Sequence, residues 1–125
     1  MSFEVGVVAH FSAHHHLVGN FGPASQPHEH AYRVEVGVSG TSLQQDGTLF
    51  DISRLQDALN AAIGDCAGRD LNGMAELAEP NPSAEVVARY FFERIAPAVS
   101  GANLGQLRVR VWESPEAYAA FTGHP

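Results

Sequence analysis

Apolar residues alternate with polar or small ones in four stretches of the chain, the period of strands with one wet face. Phe3, Val5 and Val7 alternate with Glu4 and Gly6, and the apolar tone continues to Phe11. Tyr32, Val34, Val36 and Val38 alternate with Arg33, Glu35 and Gly37. The run Thr48 to Phe50 follows an Asp46-Gly47 turn signal and predicts a short strand. Leu107, Val109 and Val111 alternate with Arg108, Arg110 and Trp112. Two other stretches have helical spacing. Asp51 reads as an N-cap, with Ile52, Leu55, Leu59, Ala62 and Ile63 as one stripe behind it. Asn81-Pro82 reads as a cap and first helical residue, and Val86, Val87, Tyr90, Phe91 and Ile95 form an apolar face ending near Pro97. Gly64 to Pro80 reads as irregular, and Ser114 to Phe121 as a short terminal helix. Strands and helices segregated in this way predict an α+β fold, an antiparallel sheet with helices on one face. No repeat, low-complexity tract or linker interrupts the pattern, so residues 1–125 read as a single domain.

Composition supports a packed core, with 45% hydrophobic and 17% charged residues. The formal net charge is −7, and every basic residue is arginine. Without lysine there is no Schiff-base chemistry. The acidic balance leans against nucleic acid as a partner, because phosphate contacts dominate such binding. A lone cysteine, Cys66, excludes an internal disulfide and fits a reducing compartment. No signal-peptide pattern opens the chain, and no apolar run approaches the roughly 20 residues needed to cross a bilayer. These features predict a soluble, cytoplasmic protein without a membrane partner.

The chemical signal is histidine. Seven are present, and they cluster. His10, His14, His15 and His16 close the first predicted strand, and His28 and His30 open the second. Alternation on a strand points His28 and His30 to one side and Glu29 to the other. From the neighbouring strand, His15, or else His14 with His16, can face the same side. Three neutral imidazoles make a zinc site with an open fourth position, which is the mark of a catalytic centre more than of a structural one. A polar loop beside a solvated strand edge is the readier explanation of a bare His-x-His, but the extra histidines next door turn the balance towards a metal site.

The motifs resemble the 6-pyruvoyl-tetrahydropterin synthase and 6-carboxytetrahydropterin synthase family. Phe11-Ser12-Ala13-His14-His15-His16-Leu17 resembles the family's Phe-x-Ala-Ala-His-Arg-Leu, and His28-Glu29-His30-Ala31-Tyr32 its His-Gly-His-x-Tyr. Gly47 to Ile52 is similar to Gly-Met-Val-x-Asp-Phe, and Leu71-Asn72 to the end of Leu-Asp-His-x-x-Leu-Asn. Asn81 to Glu85 is similar to Asn-Pro-Thr-x-Glu, and Val109 to Glu113 to Val-x-Val-x-Glu. These matches fall in order over nearly the whole chain. The resemblance implies a T-fold: four antiparallel strands, two helices inserted between the second and third, and subunits closed into an oligomeric barrel as trimers that stack into a hexamer. It implies zinc on His15, His28 and His30. It implies Glu113 as the group that grips a pterin or purine-like ring, a role that suits a carboxylate accepting two N–H bonds. Strand parity places Glu113 with Val109 and Val111, partly buried.

The chain departs from the family where protons move. Ala24 stands at the position of the family's general-base cysteine, and Ala67 and Gly68 at its Asp-His pair. Neither residue type transfers protons. Glu29, Asp70 and Cys66 are the candidates to replace them. Ser25, His14 and His16 lie nearby, and an Arg69–Asp70 surface pair is the plain alternative for Asp70. The sequence therefore predicts a zinc-dependent lyase or isomerase acting on a reduced pterin or purine-like substrate with an altered proton shuttle. Its alternatives are a non-catalytic ligand-binding protein of the same fold, or a structural zinc domain.

Overall fold

The computed structural model describes residues Met1–Pro125. The first two period-two segments form long strands, β1 (Phe3–His15) and β2 (His28–Gly40), paired antiparallel from Phe3↔Gly40 to His15↔His28. Helix α1 (Ile52–Gly64), the single-turn α2 (Ala75–Ala78) and α3 (Ala84–Ile95) follow. The chain then returns as β3 (Leu104–Ser114) and β4 (Ala117–Gly123). The sheet order is β1-β2-β3-β4, antiparallel throughout, with the helices inserted between β2 and β3.

Alternation sends Val7, Phe11, Ala13, Tyr32, Val34, Val36, Val38, Leu107, Val109 and Val111 to one face, where all are buried. Leu55, Leu59 and Ala62 of α1 and Val87, Phe91 and Ile95 of α3 cover that face. Each fully buried Leu, Val, Ile or Phe contributes about 1.5–3 kcal/mol to this association. Asp51 caps α1, its carboxylate accepting from the Ser53 N–H at 2.9 Å. Ile52, by contrast, sits at the first helical position and is exposed, off the stripe assigned to it.

Three expectations are corrected. Thr48 to Phe50 is not a strand. Asp46 accepts from the Thr48 N–H at 2.9 Å and the Thr48 hydroxyl at 2.7 Å, and the Gln44 N–H donates to the Thr48 carbonyl at 2.8 Å. These local bonds satisfy the backbone without a partner strand, Gly47 supplies the left-handed turn at φ 85°, and Leu49 and Phe50 plug the base of the core. Ser114 to Phe121 is not a helix. β3 offers an unpaired edge, and Ala117–Gly123 takes it with Val109↔Phe121 and Val111↔Ala119, so pairing overrides the helical propensity of the alanines. Phe121 then packs on Phe92 of α3 at 5.0 Å. The cap of α3 is Ser83, whose hydroxyl accepts from the Val86 N–H at 3.2 Å. Asn81 instead brackets Val18, accepting from its N–H at 2.7 Å and donating to its carbonyl at 3.2 Å.

No helix is long and apolar enough to cross a membrane. The segment Gly64 to Pro80 is mostly turns, and it ties down the end of β1. Gly68 N–H donates to the Ser12 carbonyl at 2.7 Å and His14 N–H to the Arg69 carbonyl at 2.9 Å.

Candidate metal centre

The register that buries the core also assembles the histidines. His15 pairs with His28, and Ala13 with His30, so all three imidazoles leave the helix-covered face at the end of the β1–β2 ladder. His15 is buried, with 3% of its surface exposed, while His28 and His30 are partly open. Their rings pack edge to face with centroids 4.5–4.9 Å apart. One nitrogen from each lies within 4.8 Å of the others.

The outer nitrogens are tied to backbone carbonyls. His15 Nδ1 lies 2.7 Å from the Pro82 carbonyl and His28 Nδ1 2.7 Å from the Gln26 carbonyl. A carbonyl only accepts, so each Nδ1 carries the proton and each Nε2 presents a lone pair inward. Fixing the outer N–H is how metal-binding imidazoles are oriented. The Nε2 atoms of His28 and His30 are 3.0 Å apart. Two such nitrogens need a proton or a cation between them. Zinc bonds of about 2.0–2.1 Å would set neighbouring nitrogens about 3.3 Å apart in a tetrahedron, so the donor set fits the ion with small adjustments. Burial, together with the neighbouring His15 and His28, lowers the pKa of His30 below its usual value against the opposing pull of Glu113, which favours the neutral form that binds metal.

Glu113 stands at the rim on the last turn-off of β3, its Oε1 4.0 Å from His15 Nε2 and its side chain 30% exposed. β2 continues past the Arg33↔Trp112 pair while β3 bulges between Trp112 and Ser114. A cavity of about 560 Å³ opens in the gap, lined by Glu29, His30, Arg33, Trp112, Glu113 and Ser114. A larger depression of about 770 Å³ lies around Phe3, Leu49 and Asn103, but it contains no histidine and no perturbed titratable group apart from Asp46. The chemistry favours the smaller one.

The remaining candidates scatter. Glu29 leaves the opposite face of β2, where its Oε2 is 3.2 Å from His14 Nε2, yet it lines the rim of the same cavity. Asp70 accepts from the Asn72 N–H at 3.1 Å and caps the turn Leu71–Gly73. Arg69 does not pair with it but donates to the Asp65 carbonyl at 3.0 Å. Cys66 is fully buried beside Tyr90, and burial pushes its thiol pKa up, away from the thiolate a proton shuttle needs. Ser25 braces the β1–β2 connection, accepting from the Phe21 N–H at 3.0 Å and donating to the Gly19 carbonyl at 2.7 Å. Asn72 holds both backbone groups of His16. The structure thus brings together His15, His28, His30 and Glu113, with Glu29 at the rim, and places Asp70 and Cys66 in structural roles.

Sequence reasoning placed Tyr32 in the His-x-His-x-Tyr motif but gave it no role. It sits on the floor of the site with ring centroids 5.4 Å from His30 and 6.1 Å from His15, fully buried, its hydroxyl without a partner. Burial, and then the charge of Glu113, raise its pKa well above the usual phenol value. Alternation marked Tyr32 as a core position and nothing more, since an unbonded hydroxyl leaves no trace in a hydropathy pattern.

A four-stranded antiparallel meander with helices inserted after its second strand, carrying a histidine cluster on the covered face, is a T-fold of the pterin-handling type. The family model for 6-pyruvoyl tetrahydropterin synthase matches residues 4–124, and the chain belongs to that family of pterin-handling enzymes. A Pyrococcus horikoshii protein provisionally named 6-carboxy-5,6,7,8-tetrahydropterin synthase is 30% identical over 117 residues, covering 76% of this chain and 73% of that one. The structure of Caenorhabditis elegans 6-pyruvoyl tetrahydropterin synthase superposes with a TM-score of 0.81 at 22% identity, over 98% of this chain and 96% of that one. The Plasmodium vivax enzyme superposes with a TM-score of 0.82 at 16% identity, over 100% and 99%. Two similar structures are variants of the P. vivax enzyme in which a catalytic glutamate is replaced.

Proposed function

We propose that this chain is a zinc-dependent enzyme acting as a lyase or isomerase on a reduced pterin or purine-like substrate, with a proton shuttle unlike that of its family. The observation that carries the reading is the convergence of three imidazoles, two of them with Nδ1 held by a backbone carbonyl, beside a rim carboxylate. His15, His28 and His30 hold the ion. Bound there, zinc supplies Lewis acidity towards a substrate hydroxyl or carbonyl. Glu113 accepts two N–H bonds from the amino-pyrimidine edge and sets the side chain of the ring towards the histidines. Glu29, paired with His14 at the rim of the cavity, is the proton carrier to test. A catalytic carboxylate has a parallel in the P. vivax enzyme, where a glutamate is described as a catalytic residue. Asp70 and Cys66 rank behind it, for the reasons of placement given above. The 125 residues act as one T-fold domain that self-associates as a trimer or hexamer in the cytoplasm, without nucleic-acid or membrane partners.

The test is a titration of zinc-loaded protein with dihydroneopterin derivatives, followed by product analysis. Binding that Glu113→Gln weakens, with turnover that His28→Ala abolishes, is the expected result. No binding at millimolar ligand with zinc in place would end the pterin assignment.

A second reading, a ligand-binding protein without catalysis, is favoured by Ala24, Ala67 and Gly68 at the family's proton-moving positions. Binding without product formation in the same experiment would select it.

A further inference from the structure

The Tyr32 hydroxyl and the Trp112 indole nitrogen are buried without a hydrogen-bond partner. Trp112 precedes Glu113 on β3, and Tyr32 lies across from it, one residue beyond the Arg33↔Trp112 pair. Most buried polar groups in native proteins are satisfied, so each of these orphans needs a reason. The indole belongs to the reverse face, packed at a tilt against Tyr118 with centroids 4.6 Å apart and under the Arg33 guanidinium. The phenol belongs to the metal centre.

Packing does not explain its oxygen. The Tyr32 ring stacks on Phe11 at 4.9 Å and meets the edges of His15 and His30. Phenylalanine would make the same ring contacts without burying an unbonded hydroxyl. Glu113, meanwhile, has acceptors to spare. An ionised carboxylate offers about four lone-pair sites. Its nearest histidine nitrogen is 4.0 Å away, too far for a hydrogen bond, and its partial exposure leaves the side chain room to turn.

We infer that Tyr32 is a positioning residue for Glu113: when the carboxylate turns to grip a ring edge, the phenol donates to its inward oxygen and fixes its plane. The outward lone pairs are then left for the two ring N–H donors. The phenol keeps its proton throughout, and no covalent bond changes. This rests on Glu113 being the ring anchor and supplies what holds that anchor still.

The experiment uses the full-length, zinc-loaded protein with pterin, a 2-amino-4-oxopteridine, as the probe. Calorimetry should show Tyr32→Phe holding zinc as the wild type does, melting no lower, and binding pterin about 5- to 30-fold more weakly. Tyrosine labelled with ¹³C at Cζ gives three resonances, and the one missing from Tyr32→Phe should shift when pterin binds the wild type but stay in place in Glu113→Ala. A wild type that binds pterin while Tyr32→Phe binds it equally well, or a Tyr32 resonance that does not move, overturns the inference alone. A zinc-loaded wild type that binds no pterin overturns the anchor role of Glu113 and this inference with it. The resonance in the wild type decides the matter should Tyr32→Phe not fold.

Discussion

Replacing His28 by alanine separates the metal site from the fold. His15 is a poor choice for this purpose, because its buried ring bonds to Pro82 and its loss would disturb packing as well. His28 lies at the partly open end of the sheet, so its truncation in metal-free protein should cost about 1 kcal/mol. With an unfolding entropy of about 2.1 cal/mol/K per residue, a chain of this length loses about 4 °C in Tm for each kcal/mol. Zinc held at 100 times its Kd stabilises a one-site protein by about 2.7 kcal/mol, a rise of about 10 °C. Wild type should therefore gain about 10 °C from zinc, and His28→Ala, with two imidazoles left, should gain almost none at the same concentration. Scanning calorimetry of metal-stripped samples, with elemental analysis of the reloaded ones, makes the measurement. A variant that gains as much as the wild type, or a wild type that gains less than about 2 °C at saturating zinc, would refute the convergence argued from the three imidazoles.

Three further outcomes are expected. The Cys66 thiol, buried and with a raised pKa, should react with a disulfide reagent at pH 8 only as fast as the protein unfolds; rapid stoichiometric labelling of native protein would restore it as a shuttle candidate. His30 has a folded pKa below the 6.5 of the unfolded chain, so the unfolded state takes up the proton first as pH falls. Metal-free protein should then lose stability from about pH 6.5 downward until the lowered pKa is passed, and His30→Gln should flatten that part of the urea-unfolding profile; equal slopes would contradict the burial argument. Asp51→Ala removes the cap of α1 and should lower Tm by about 4 °C through the loss of about 1 kcal/mol, with zinc affinity unchanged.

The chain's own pattern determined its long elements and its histidine cluster, because both depend on periods that local geometry fixes. Period two put Val34, Val36 and Val38 on one face and, by the same alternation, His28 and His30 on that face too. The helical stripe through Leu55 and Leu59, and the cap at Asp51, were equally local. Two segments went against the element their local pattern suggested, and in each the available hydrogen bonds decided it. Ala117–Gly123 became a strand because β3 had an edge to fill, and Thr48 to Phe50 did not because Asp46 had already satisfied its backbone. The carbonyls of Pro82 and Gln26 that orient the imidazoles, the burial that withdraws Cys66, and the unbonded hydroxyl of Tyr32 beneath Glu113 exist only once the sheet has curled its helices over one face. Burial and hydrogen-bond satisfaction are properties of the packed whole, and no window of sequence contains them.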